Sequence, residues 1–221
     1  MREVPPGVRP ARPHHRLTED GRRMREVLTY SRRGSRLSAA QAAAWEAYAD
    51  RWVVPDEAVD DPGFTWAQGF GRRAPTIVEI GSGVGEGTAA LAAPRPDHDV
   101  VAFEVWRPGV AETLGRLAAA GVDNVRLCSV DAVWSLEHLF APGEVAELWT
   151  FFPDPWHKAR HHKRRLVGPG FATLAASRLA PGACWRLATD WSDYADQMRE
   201  VLDAEPGLVG GPVPRWAERP V

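Results

Sequence analysis

From Thr76 onward, short apolar runs alternate with longer amphipathic or Ala-rich stretches. Thr76–Ile80, Val100–Phe103, Asn124–Val130, Glu147–Phe152 and Ala183–Thr189 read as strands, since each is short, apolar and flanked by Gly, Pro, Asp or Asn. Thr88–Ala93, Val110–Ala120, Trp134–Phe140, Phe171–Leu179 and Trp191–Leu202 follow them in turn and read as helices. Strands alternating with helices predict an α/β fold: a doubly wound, mostly parallel sheet covered on both faces. Upstream, Ser38 and Gln41 have the spacing of an S-x-x-Q capping box, so a helix is predicted over Ala39–Trp52, with Trp45, Tyr48 and Trp52 on roughly one face. Val53–Arg73 carries Pro55, Pro62 and three glycines and reads as loop. No internal repeat is present.

The 221 residues, 44% hydrophobic and 25% charged, suit one globular domain with a core of its own. The net charge of -2 conceals an asymmetry. Residues 1–36 hold ten arginines against four acids, so this stretch reads as a basic, mobile arm and residues 37–221 as the folded domain. A basic arm on an acidic body suits a polyanionic partner, although solvated tails share that composition. No apolar stretch is long enough to span a membrane, and the Pro- and Arg-rich N-terminus lacks the apolar segment of a signal peptide. Cys128 and Cys184 lie in apolar, strand-like contexts without metal or redox spacing, and are expected to be buried free thiols. A cytoplasmic location is the expectation.

In a parallel sheet, ligands bind beyond the carboxyl ends of the strands. Those ends carry acids and glycines here. The first strand contains Glu79 and runs into Gly81-Ser82-Gly83-Val84-Gly85; Glu104, Asp131, Asp154 and Asp190 follow the other four. The alternate glycines would let a ligand approach the backbone, and a carboxylate about twenty residues further on can take ribose hydroxyls. The dinucleotide fingerprint G-x-G-x-x-G fails, since its last position is Glu86 or Thr88 depending on the starting glycine. A ring of acids suits a cationic nucleoside such as S-adenosyl-L-methionine, with its ribose diol, two amines and sulfonium, better than a pyrophosphate.

The segment from Phe151 to Arg165 joins three chemical elements. Asp154 is held between Pro153 and Pro155, which restrict the backbone around it. Trp156 offers a stacking face. A run with five full positive charges and no acid follows, and it contains the chain's only two lysines, Lys158 and Lys163. That order offers one carboxylate for chemistry and a cationic track for phosphates, although a charge run can also be merely solvated. His157 and His161 have the spacing of zinc ligands, but basic residues surround them and no Cys or Glu partner stands at metal spacing. For Trp134, Trp149, Trp185 and Trp191, core packing is expected, which leaves Trp156 as the stacking candidate.

The motifs that carry a resemblance run in order from Arg33 to Tyr194. They are Arg33-x-x-Arg36-Leu37-Ser38-x-x-Gln41, Val78-Glu79-Ile80-Gly81, Phe103-Glu104-Val105, Asp131-Ala132, Pro153-Asp154-Pro155-Trp156 with the basic run, and Leu187-Ala188-Thr189-Asp190 with Tyr194. With these the chain resembles the bacterial tRNA (guanine-N7-)-methyltransferases, a family with a Rossmann-like class I methyltransferase fold. The resemblance implies methyl transfer from S-adenosyl-L-methionine to N7 of a tRNA guanosine, at position 46 of the variable loop. It implies cofactor contacts from Glu79, Glu104, Asp131 and Asp154, with Ala132 beside them and the loop glycines Gly81, Gly83 and Gly85. Asp154 would also be the active-site acid, Lys158 and Asp190 would meet the substrate nucleoside, and Arg160, His161, His162, Lys163, Arg164 and Arg165 would touch RNA. The family continues beyond an Arg-Pro element into a further substrate-contacting motif and a last strand, whereas this sequence stops at Arg219-Pro220-Val221. The sheet is therefore expected to lack its last strand. Two alternatives share the fold: a non-catalytic RNA-binding module, and a methyltransferase acting on an exocyclic amine.

Overall fold

The computed structural model describes Thr29, Gly34 and residues 36–212. Most of the predicted arm therefore lies outside the described residues. Five strands, β1 (Thr76–Ile80), β2 (Asp99–Phe103), β3 (Val125–Cys128), β4 (Val145–Phe151) and β5 (Leu179–Ala188), form one sheet in the order β3-β2-β1-β4-β5. Every pairing is parallel, so all five strands deliver their carboxyl ends to the same edge. The connectivity reverses between β1 and β4, which opens a crevice there.

Period-two alternation sorts the core. Ile77 points to the face covered by α1 (Ala39–Trp52), α4 (Glu86–Ala92) and α5 (Arg107–Ala120), where it packs with Trp52, Leu91, Leu114 and Trp149. Val78 and Ile80 point the other way and pack with Trp66, Trp134, Leu136 and Phe171. These residues come from α3 (Trp66–Phe70), α6 (Ala132–His138) and α7 (Pro169–Arg178). The last helix, α8 (Ser192–Asp203), buries Tyr194 and Met198 against Val167, Trp185 and Leu187. The capping box at Ser38 and Gln41 is formed in both directions, and α1 spans the predicted residues.

The stretch expected to be loop, Val53–Arg73, instead contains α2 (Asp56–Asp60) and α3, and Val53 bridges Leu127 beside β3. Its punctuation starts helices as well as breaking them. Pro55 is the N-cap of α2, and Thr65 with Gln68 makes a second capping box. Cys128 is buried as expected, but Cys184 is exposed. β5 is an edge strand; Trp185 and Leu187 take its packed face, so Cys184 takes the other. Among the described residues no helix is long and apolar enough to cross a membrane.

Two glycines of α5 separate close packing from helix propensity. A Cβ on Gly109 would lie 2.3 Å from the carbonyl oxygen of Gly83, so α5 can approach the glycine loop only without a side chain there. A Cβ on Gly115 would meet nothing within 4 Å. Gly115→Ala should therefore stabilise the fold by about 0.4–1 kcal/mol, through the lower entropy of the unfolded chain. Gly109→Ala should destabilise it by about 1–3 kcal/mol. Urea unfolding of the two variants reads both signs, and a stabilised Gly109→Ala would contradict the close approach.

Candidate active site

The cleft at the β1/β4 switch point is lined by backbone of Gly81 and Gly83, by apolar Ile80, Phe103, Val130 and Leu166, and by three carboxylates, Glu104, Asp131 and Asp154. Each acid arrives by a different route. Glu104 directly follows β2; its Oε2 accepts from Gly83 N–H at 2.8 Å and its Oε1 from Trp106 N–H at 2.7 Å. Asp131 caps α6 by accepting from Trp134 N–H at 3.0 Å, and so stands at the end of β3. Asp154 sits beyond β4 in a bend whose flanking residues, Phe152 (φ 52°) and Trp156 (φ 48°), are both left-handed. Non-glycine residues in that region cost on the order of 1–3 kcal/mol each and need a surrounding structure that holds them.

Gly81 (φ 76°), Gly83 (φ 59°) and Gly85 (φ 78°) are also left-handed, which is why the loop needs glycine. Only the first two line the cleft. A Cβ on Gly85 would lie 2.4 Å from the Thr113 side chain, so Gly85 serves the packing of α5. Glu79 does not line the cleft either. Its side chain is on the Ile77 face of β1 and only 4% exposed, and it accepts from the Thr88 hydroxyl at 2.6 Å. Burial pushes its carboxyl up to about 7; the Thr88 hydrogen bond opposes this shift and the Glu104 charge adds to it.

The basic run divides sharply. Lys158, Arg160 and Lys163 are exposed, the last two in a 3-10 turn over Ala159–Arg164. Desolvation first, then the charges of Arg160 and Arg164, hold the His161 imidazole below its usual value, which favours the neutral ring at neutral pH. Arg164 lies 3.4 Å over the Trp156 ring. Arg165, expected to touch RNA, is only 5% exposed, and its guanidinium is engaged by the protein itself. It donates to Pro155 O (2.8 Å), to Gln197 Oε1 (2.7 Å) and to Asp193. That correction follows from burial: a phosphate could reach Arg165 only by displacing those acceptors.

The aromatic expectations change as well. Trp156 has Arg164 over its ring and His161 at its edge, and its indole N–H donates to Thr29 O at 3.2 Å. Trp134 and Trp149 are buried, but Trp191 is 39% exposed rather than a core residue, with the His157 ring 4.2 Å away. Its position ahead of α8, in extended backbone, keeps it off the packed face that Tyr194 and Met198 occupy. Phe152, 57% exposed, also lines the cleft. Asp190 is exposed in the β5–α8 connection and does not line the cleft. Sequence reasoning missed Thr29, Val105, Trp106 and Val133, which line the cleft, and Gly109 beneath it. Position relative to the strand ends could have flagged Val105 and Trp106; nothing in the sequence pointed to Thr29.

A parallel sheet with a glycine turn after β1, acids after β2, β3 and β4, and an apolar-walled cleft at the switch point defines a class I S-adenosyl-L-methionine-dependent methyltransferase. The donor set fits that cofactor: carboxylates match its diol and amines, and the apolar walls match a purine ring. A family model described as "Putative methyltransferase" matches residues 73–216. The chain is 77% identical to a tRNA (guanine-N(7)-)-methyltransferase of a Nocardioides species, over 99% of this chain and 88% of that one. It is 47% identical to the protein of that name from Cutibacterium acnes, over 89% of this chain and 76% of that one. Among solved structures it is similar to TrmN from Thermus thermophilus, with a TM-score of 0.47 and 18% identity over 61% of this chain and 38% of that one. The chain belongs to the tRNA (guanine-N7-)-methyltransferase family.

The buried Glu79 makes stability depend on pH. Below about pH 4.5 the carboxyl is protonated in both folded and unfolded chains. As pH rises from 4.5 to about 7, the folded chain keeps a proton that the unfolded chain has lost, so stability falls across that window and the loss levels off above it. The shift corresponds to a loss on the order of 3 kcal/mol. Glu79→Gln should remove this component, so that wild type minus variant, followed by urea unfolding from pH 4 to 8, declines with pH. A flat difference would show that Glu79 is not the buried titrating acid.

Proposed function

We propose that this protein transfers the methyl group of S-adenosyl-L-methionine to N7 of a guanosine in tRNA, at position 46 of the variable loop. One observation carries the reading beyond family membership. The acid-lined cleft and the exposed cations Lys158, Arg160 and Lys163 are joined by a single short bend through Asp154, so a bound nucleoside and its phosphates would meet both at once.

The cofactor, when bound, supplies a methyl group on a positively charged sulfur. Glu104 would accept from the ribose hydroxyls while the Gly83 and Trp106 amides keep its carboxylate aimed into the cleft. Asp131 would meet an amine, and Ile80, Phe103 and Val130 would flank the adenine. Glu79 would contribute from the helix-covered face of β1, through its bond to Thr88, rather than by lining the cleft. Guanine N7 carries its lone pair at neutral pH, so no base is needed to activate it; catalysis rests on in-line positioning and on fixed charge. The methylated ring is cationic, and Asp154 would stabilise that charge as it develops. Asp154 or Asp190 can also accept from guanine N1–H and its amine, donors that adenine lacks. Lys158 would pair with the nucleoside's phosphate, and Arg160 and Lys163 with the flanking backbone.

The direct test incubates unmodified tRNA with methyl-labelled cofactor, digests it, and identifies the nucleoside by mass spectrometry. The expected product is 7-methylguanosine, lost when guanosine 46 is replaced. Label in an exocyclic amine, or no label despite tRNA binding, would support one of the alternative readings instead.

Three variants divide the labour. Glu104→Ala should weaken cofactor binding by about 1–3 kcal/mol in calorimetry, the range for a lost charged hydrogen bond. Asp154→Asn should lower the single-turnover rate at saturating tRNA by roughly 10²-fold or more, with tRNA affinity little changed. Arg160→Gln with Lys163→Gln should weaken tRNA binding and reduce its log–log salt slope by roughly two units, leaving cofactor affinity intact. A salt slope equal to wild type would make that turn an ordinary solvated surface.

A further inference from the structure

We propose that Arg165 is a positioning residue that locks the bend carrying Asp154 to helix α8, and so fixes the spacing between Asp154 and Asp190. The inference rests on the methyltransferase reading of this site. The hydrogen-bond ladder between β4 and β5 ends where Phe152 N–H donates to Ala188 O at 2.8 Å. Beyond it, Arg165 ties the two segments together. Its Nε–H donates 2.8 Å to the carbonyl of Pro155, the residue after Asp154. Its other arms reach Gln197 Oε1 at 2.7 Å and the Asp193 carboxylate, both on α8, which begins two residues after Asp190. His162 Nε2 lies 3.1 Å from the same guanidinium, and the Tyr194 ring is 4.9 Å from its central carbon.

The network is balanced in charge and in donors. The Arg165 hydrogen bond holds Asp193 below the usual carboxylate range, so one carboxylate answers one guanidinium. Burial pushes the Tyr194 hydroxyl up to about 12, so it stays neutral and accepts from Val167 N–H at 3.0 Å. Gln197 Nε2 in turn donates to Val167 O at 3.0 Å. An ammonium is a compact point charge and cannot span a carbonyl, an amide and a carboxylate in one plane, so lysine is no substitute. With φ of 52° and 48° on either side, the Asp154 bend is not the conformation its backbone would choose alone. The clamp on Pro155 adds to the Phe152 and Trp156 hydrogen bonds in holding it.

Arg165→Lys and Gln197→Ala, each in the full chain, test this with three measurements: single-turnover methylation, tRNA affinity with its salt slope, and the Trp156 indole N–H resonance. The clamp predicts that Arg165→Lys lowers the rate at saturating tRNA roughly 100-fold, the scale of a small misplacement of reacting groups. Gln197→Ala, which removes one arm, should lower it less. tRNA affinity and salt slope should stay at wild-type values, and the Trp156 resonance should shift or broaden. A slope reduced by about one unit with the saturated rate preserved would make Arg165 a phosphate contact and overturn the proposal. So would an unmoved Trp156 signal with a wild-type rate per folded molecule, since that is mere packing. If Arg165→Lys does not fold, Gln197→Ala decides by the same readings. If the wild-type protein does not methylate tRNA, the functional reading fails, and the Trp156 resonance alone judges the clamp.

Discussion

The parallel run of all five strands is the constraint on which the rest depends. It sends every carboxyl end to one edge, and the order β3-β2-β1-β4-β5 splits that edge between β1 and β4. Residues far apart in sequence, Gly81, Glu104, Asp131 and Asp154, therefore meet around one opening because each lies just beyond a strand end. The same constraint explains why Glu79 is not among them. Residues within a strand alternate between faces, so an acid one position before the last residue of β1 points sideways into the helix layer, whereas acids just past a strand end are free of that alternation.

Gathering carboxylates around a cleft raises their mutual repulsion, and the fold answers each charge differently. Glu104 receives two backbone N–H donors, one from the loop it faces, so the glycine turn and the acid hold each other in place. Asp131 is set at a helix N-terminus, where the exposed amides favour a negative charge. Glu79 is buried, and that burial raises its proton affinity. A cation entering the cleft would lower the energy of all of them at once, which is the electrostatic reason for a sulfonium ligand rather than a phosphate.

Much of this was legible in the sequence because it depends on local pattern. The five strands, the helix opened by Ser38 and Gln41, and the acids beyond strand ends follow from periodicity and capping chemistry. What was not legible depends on which face of an element ends up covered. Val53–Arg73 looked like loop because Pro55 and Thr65 can end structure or begin it, and only the packing of Val59 and Trp66 into the core decides. Gly85 and Gly83 are alike in sequence, yet one meets Thr113 and the other the cleft. Trp191, expected in the core, is exposed, and the ring of Trp156, expected to offer a stacking face, carries Arg164 over it, because exposure belongs to the ring's neighbours and not to its type.

The run from Lys158 to Arg165 shows the same principle acting on charge. Read linearly it is one cationic track. Folded, the tight 3-10 turn distributes its members: Arg160 and Lys163 face outward, Arg164 covers Trp156, and Arg165 turns inward beneath the bend. Guanidinium and ammonium are placed according to their chemistry. The planar donor that can serve three acceptors is buried, and both lysines, whose hydration is harder to strip, remain in water. On the proposed function and clamp, one segment would serve both a polyanion and the Asp154 bend, so RNA engaged by the outer residues would bear on the turn whose inner residue, Arg165, bonds to Pro155.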